Sequence, residues 1–301
     1  MASTRKILSL CGNAVFRSIR LQALLKMHNC CTMAGFLTNC ETWIIDKNER
    51  NKLERIELWA LKRILDVPKT TPTAAIWHVT GMLMTSILID KRQLLYLKKI
   101  LNKPDENWIK QMFCCLAKDN IGWAKQILKT LAEYEITESI DEIKEVSNAA
   151  WRAKVTTVTE KKHKEKLVDL CLARGGVKTK TRYLLEKLKS DAYTRNPDMQ
   201  ILKKSRHLCR VQIMSMYGML CCGKNFKGGQ GGEYCKQCNA VDDENHRINY
   251  CPKYKNRNLH GSSLKFDFNV IHVGEGETVD RALEVVCELW DLRNGRNSMR
   301  K

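Results

Sequence analysis

The sequence predicts a mostly α-helical array with a small CCHC zinc knuckle near its C-terminus. Three observations carry this. Apolar residues recur at steps of three and four through most of the first 220 positions, the period of one helix face. Proline and glycine are few, 5 and 16 in 301 residues, and six of the glycines fall within 218–232, so breaks concentrate in one irregular insert. Finally, Cys235, Cys238, His246 and Cys251 follow a C-x2-C-x7-H-x4-C spacing.

That spacing is metal chemistry. Two cysteines two residues apart aim both sulfurs at one cation across a tight turn, and a His and a Cys beyond them close a tetrahedron. Thiolate and imidazole are the donors Zn(II) prefers, and four protein ligands leave no open position for a reactive water. The expected cofactor is therefore one structural Zn(II), whose binding supplies folding energy to a loop too short to bury a core. The plain alternative is coincidence, since 14 cysteines scatter some close pairs. Cys221 or Cys222 is a further ligand candidate.

Composition sets the partner class. With 52 Lys and Arg against 33 Asp and Glu, the formal net charge is +19, which makes a polyanion the default partner. RNA or DNA is expected rather than a membrane, because no apolar run approaches the roughly 20 residues of a spanning helix. No signal-peptide pattern opens the chain. Many thiols beside a zinc spacing point to a reducing compartment, nucleus or cytoplasm.

In chain order, Ile7 to Asn39 reads as two helices; His28 with Cys30 and Cys31 suggests a metal, but buried thiols on a helix are the favoured reading. Asp46 to Val67 is the clearest helix. Leu53, Ile56, Ala60, Ile64 and Val67 mark its inner face, and Lys52, Arg55, Lys62 and Arg63 crowd the others. Asp46 and Glu49 form a capping box, and Pro68 stops the helix. Thr73 is expected to cap the next one. Leu88 to Leu101 points Leu94, Leu95, Leu97, Ile100 and Leu101 inward and Lys91, Arg92, Lys98 and Lys99 outward, ending before Pro104. Trp108 to Ala117, Trp123 to Glu133, Ile140 to Ala153, Leu208 to Leu220 and Thr278 to Arg293 continue the pattern.

Residues 152–206 are the most basic, with 16 Lys or Arg against 6 Asp or Glu. The expected nucleic-acid contacts here are Lys161, Lys162, Lys164, Arg182, Lys203, Lys204 and Arg206, reaching mainly phosphates. Tyr183 and Tyr193 lie among the charges as candidate stacking rings. Phe226, Tyr234 and Tyr250 flank the knuckle, either as stacking rings for unpaired bases or as its small core, the second reading being favoured for Tyr250. The bland alternative for the charges is a solvated helix face.

Several strings resemble one family. Asn39-Cys40-Glu41-Thr42-Trp43, followed by a helix ending Leu61-Lys62-Arg63-Ile64-Leu65, resembles the segment just after the polymerase palm of non-LTR (LINE-like) retrotransposon reverse transcriptases. Those proteins carry glycine where Asn39 stands. Thr70 to Gly81, Lys91 to Tyr96 and Ile100-Leu101-Asn102 look like the blocks that follow, and Cys235 to Tyr254 is similar to their CCHC knuckle. Leu289-Trp290 and Leu292-Arg293-Asn294 also look like theirs. The resemblance implies a thumb-like helical region over 1–150, a basic helical connector over 151–220, the knuckle over 221–260 and a tail over 261–301 with one amphipathic helix.

It further implies template RNA or DNA as partner, together with the remainder of the polymerase polypeptide. Polymerase chemistry needs an aromatic-x-Asp-Asp turn. Val241-Asp242-Asp243 lacks the aromatic, and Pro197-Asp198 reads as a turn rather than part of a nuclease. The expectation is a non-catalytic, nucleic-acid-binding fragment of such a reverse transcriptase. The alternatives are a helical protein-interaction scaffold, a decayed relic of the element, or a remnant enzyme, which would require clustered carboxylates.

Overall fold

A computed structural model describes residues 19–172, 179–190, 198–204 and 206–217, together with Tyr193, Arg195, Tyr234, Cys235, 238–241 and His246. The expected helix over Thr278 to Arg293 and the positions Cys221, Cys222, Phe226, Tyr250 and Cys251 lie outside them.

The described chain is mostly helical. Helix α1 (Leu21–Met27) runs through a π-helical turn (His28–Met33) into α2 (Ala34–Phe36), and a 3-10 turn (Cys40–Thr42) leads to α3 (Lys47–Ile64). Then follow α4 (Thr73–Thr80), α5 (Thr85–Leu101), α6 (Trp108–Lys118), α7 (Gly122–Glu133), α8 (Ile140–Glu145) and the long α9 (Asn148–Leu172). Helices α10 (Thr179–Lys189), α11 (Met199–Leu202) and α12 (Arg206–Met216) complete the described array. The one extended pairing among the described residues is the Tyr234–Val241 bridge.

Local chemistry starts and stops these helices. Asp46 Oδ1 accepts from the Glu49 amide at 2.7 Å and Glu49 Oε2 from the Asp46 amide at 2.9 Å, so the capping box forms as expected. Ser139 and Glu142 build a second one on α8. Helix α3 ends at Ile64 rather than Val67 because Asp66 turns left-handed, at φ 55°. The Val67 amide then reaches back to the Lys62 carbonyl at 3.1 Å, which satisfies an orphan acceptor of the last turn. Thr73 does not cap α4; Pro72 precedes the helix and Thr73 is its first residue. Ile140 to Ala153 is two helices, because Val146 is extended and Ser147 Oγ accepts from the Ala150 amide at 3.2 Å to start α9.

Helix α5 is the hub. It packs against α3, α6, α7, α8, α9 and the 3-10 turn. Met84, just before it, and Ile87 in its first turn sit in a core with Trp77, Leu61 and Tyr217, and its last turns place Leu94, Leu97 and Leu101 in a second core with Phe113 and Trp151. Helix α9 belongs to both cores as well, through Trp151 and Val155 at one end and Leu167 and Cys171 at the other. Trp151 Nε1 donates to the Leu94 carbonyl at 3.0 Å, so the buried indole keeps its polar handle paired.

This central position overturns one expectation. Lys98 does not face outward. It is 4% exposed and donates to the Ile143 and Lys144 carbonyls at 2.8 and 2.7 Å, satisfying the open C-terminal end of α8. Arg92, half-buried, donates to the Leu37 carbonyl at 3.0 Å. The π-helical turn brings another change: His28 is buried while Cys30 and Cys31 are exposed. Among the described residues no single helix is long and apolar enough to cross a membrane. Helices α4 and α5 pass by length and composition only as a pair bent by 53°, and most of their apolar residues are buried in the cores.

Candidate metal centre and basic surface

The tight turn after Tyr234 is built by backbone pairing. The Cys235 amide donates to the Ala240 carbonyl at 2.7 Å, and the Asn239 amide to the Cys235 carbonyl at 2.8 Å. Asn239 sits left-handed at φ 56°, a conformation asparagine tolerates better than most residues. The fold of the turn brings Cys235 and Cys238 to the same side, and buried His246 closes on them. One ligand atom from each of the three lies within 4.8 Å of the others. Cys238 Sγ and His246 Nε2 are 3.0 Å apart, closer than the roughly 3.6 Å between two ligands of one tetrahedral zinc.

Two thiols and an imidazole converging at this range suit a borderline-soft divalent ion. Three of the four expected ligands therefore meet; Cys251 lies outside the described residues. Among the described residues this is the one cluster of three or more His, Cys, Asp or Glu side chains arranged to hold a metal. Tyr234, beside the cluster, is 55% exposed.

The basic residues divide by their partners. Lys161 pairs with Glu135 at 2.7 Å and Lys162 with Glu165 at 3.3 Å. Both pairs are solvent-exposed, so each is weak and open to competition by a phosphate. Lys164 donates to the Ser190 carbonyl at 3.4 Å and lies 5.9 Å from the centre of the Tyr193 ring. Tyr193 packs inward, 5.9 Å from the His78 ring, and burial pushes its hydroxyl up to about 12, so it is not a free stacking ring. Lys203 is exposed and Lys204 half-buried. Arg182 belongs to α10 and Arg206 opens α12.

A buried polar layer between α3, α5 and α9 was not foreseen. Arg50 pairs with Asp90, and Tyr134 donates to Asp90 at 3.0 Å. Thr85 donates to Glu57, whose carboxyl burial raises to about 8. Ser86 donates to Glu54 at 3.2 Å, and Lys166 donates to Ser86 at 3.3 Å. These carboxylates are tied to hydroxyls and cations and do not converge as metal ligands. Nearby, His78 and His163 are buried, and none of their four ring nitrogens meets a partner among the described residues.

Sequence reasoning also passed over Trp59. The indole is 43% exposed on α3 and the Arg63 guanidinium lies 6.0 Å from its ring centre. The signal was its place in the helical period, off the apolar face and in step with Lys52, Arg55 and Arg63.

No family model, curated protein or solved structure matches the chain.

Proposed function

We propose that this chain is a non-catalytic nucleic-acid-binding module, the post-palm region of a LINE-like reverse transcriptase from its thumb through its CCHC knuckle. The observation that carries the proposal is the convergence of Cys235, Cys238 and His246 on one turn, in a chain whose net charge is +19. Zn(II), held by these three and by Cys251 as the fourth ligand, would be structural, fixing the turn that presents Tyr234. Lys161, Lys162 and Lys164 of α9, with Lys203, Lys204, Arg182 and Arg206, contact phosphates of RNA or DNA, and Tyr234 and Phe226 stack on unpaired bases.

One backbone detail supports the family reading. Asn39 stands where the resembled string carries glycine, and it lies at φ 58°, a conformation for which glycine is the default residue. Asparagine is among the few substitutes with a modest cost there. The departure from the family string is thus of the kind the local conformation permits.

The test is binding of labelled single-stranded RNA and DNA, followed by anisotropy across salt. A chain making about six phosphate contacts loses on the order of a thousandfold in affinity between 50 and 200 mM salt. Affinity indifferent to salt over that range removes the reading. Binding to protein partners without nucleic-acid binding would put a helical interaction scaffold in its place, and a folded chain without either would be a relic of the element.

A further inference from the structure

Helix α3 has a second face. Its inner side buries Glu57, Ala60, Leu61 and Ile64. On its outer side Lys52, Arg55, Trp59 and Arg63 are all exposed, at steps of three, four and four, which stack them along one stripe. The stripe sets a part-exposed indole among three cations, one of which, Arg63, lies over its ring. We propose that this face is a base-stacking platform for single-stranded nucleic acid, with Trp59 as the stacking ring and Lys52, Arg55 and Arg63 as phosphate contacts. It rests on the nucleic-acid reading and adds a surface remote in sequence from the basic region and the knuckle.

The choice of a polyanion over a protein follows from charge. The stripe holds no carboxylate between Lys52 and Arg63. The acids at its two ends are engaged: Glu49 caps the Asp46 amide at 2.9 Å, and Asp66 pairs with Arg210 at 3.1 Å. The choice of unpaired bases follows from the ring. Every base offers a π-face, but a duplex hides those faces, whereas a single strand can lay one on an indole. Arg63 already lies 6.0 Å from the ring centre, a cation–π arrangement that steadies the indole and sets a phosphate-binding group beside the stacked base.

The experiment uses the full chain and a labelled oligouridylate, with binding followed by anisotropy at several salt concentrations. Trp59→Ala is expected to weaken binding about 5- to 100-fold with the salt slope unchanged, and Trp59→Phe to recover most of the loss. Lys52→Ala with Arg55→Ala is expected to lower the salt slope by about two. All four side chains being exposed, thermal unfolding of these variants should match wild type. Should Trp59→Ala unfold the chain, Arg55→Glu carries the test, with a tenfold or greater loss expected.

Wild-type affinity retained in Trp59→Ala and Arg55→Glu, but lost in a Lys161→Ala, Lys164→Ala, Lys203→Ala variant, overturns the platform and leaves the proposed function standing. Absence of binding by the wild-type chain overturns both. A changed oligomeric state in Trp59→Ala, with strand affinity intact, assigns the stripe to protein contacts and also overturns the platform.

Discussion

Tyr134 donates its hydroxyl to Asp90 Oδ2 at 3.0 Å, while Arg50 closes on the other oxygen of the same carboxylate. Three elements meet at one buried side chain: the end of α7, the middle of α5 and the first turn of α3. Asp90 is 4% exposed, so removing it strands a guanidinium and a phenol. Asp90→Ala is expected to cost about 3 kcal/mol, read as a lower urea midpoint with the slope unchanged. Asp90→Asn, which still accepts from Tyr134, should lose less.

Glu57 sets an alkaline limit. Burial raises its carboxyl from 4.5 to about 8, against the hydrogen bond from Thr85 that lowers it. A folded-state value above the unfolded one stabilises fully below pH 4.5, and that contribution is lost as pH rises through 8. Glu57→Gln imitates the protonated carboxyl at every pH. Its stability relative to wild type should rise by about 1.4 kcal/mol per pH unit between those limits, measured by urea unfolding at pH 5, 7 and 8.

His78 and His163 set the acid limit. Burial lowers His78 to about 4, with Lys187 adding and Asp198 opposing. Burial lowers His163 to about 3, helped by Arg195, Lys166 and His78. Values depressed below 6.5 mean that the unfolded chain takes up protons first. Stability from these groups is complete above pH 6.5 and falls as pH drops through that value toward 4. His163→Leu should flatten this acid limb in a thermal-melt series, whereas a Lys161→Ala control should not.

The metal turn separates ligand from frame. Cys238→Ser and His246→Ala should each abolish bound zinc, measured by elemental analysis of protein purified without added metal. Asn239→Gly should retain one zinc per chain, because glycine occupies the left-handed conformation at φ 56° freely. Zinc loss in Asn239→Gly equal to that in Cys238→Ser would remove the role of the turn as a frame.

Much of the array was legible because its signals are local. Asp46, Glu49 and Pro68 bracket α3 within a few residues of its ends, and the spacing of Cys235, Cys238 and His246 alone brought them together. What escaped was set by distance or by surroundings. Lys98 reads as solvent-facing on any wheel drawn for a helix with one buried side, but α5 is enclosed, and the partner that makes its burial tolerable is the far end of α8. Lys161 meets Glu135 across 26 positions, beyond any local rule. The break at Val146–Ser147 carried a legible signal, Ser147 before Asn148, that the apolar period ran over. Trp59 was overlooked because periodicity directs attention to the face that packs.

The enclosure of α5 also constrains how the sequence can drift. A surface helix has a side where substitutions meet only water. Helix α5 has neighbours on α3, α6, α7, α8 and α9, and even its polar residues Asp90, Gln93 and Lys98 are buried and bonded to other elements. Random replacement is therefore poorly tolerated there, and a library of variants should sort by position along the chain, with α4, buried from Ala74 to Thr80, and α5 returning the fewest folded members and the outer rim of α6 the most.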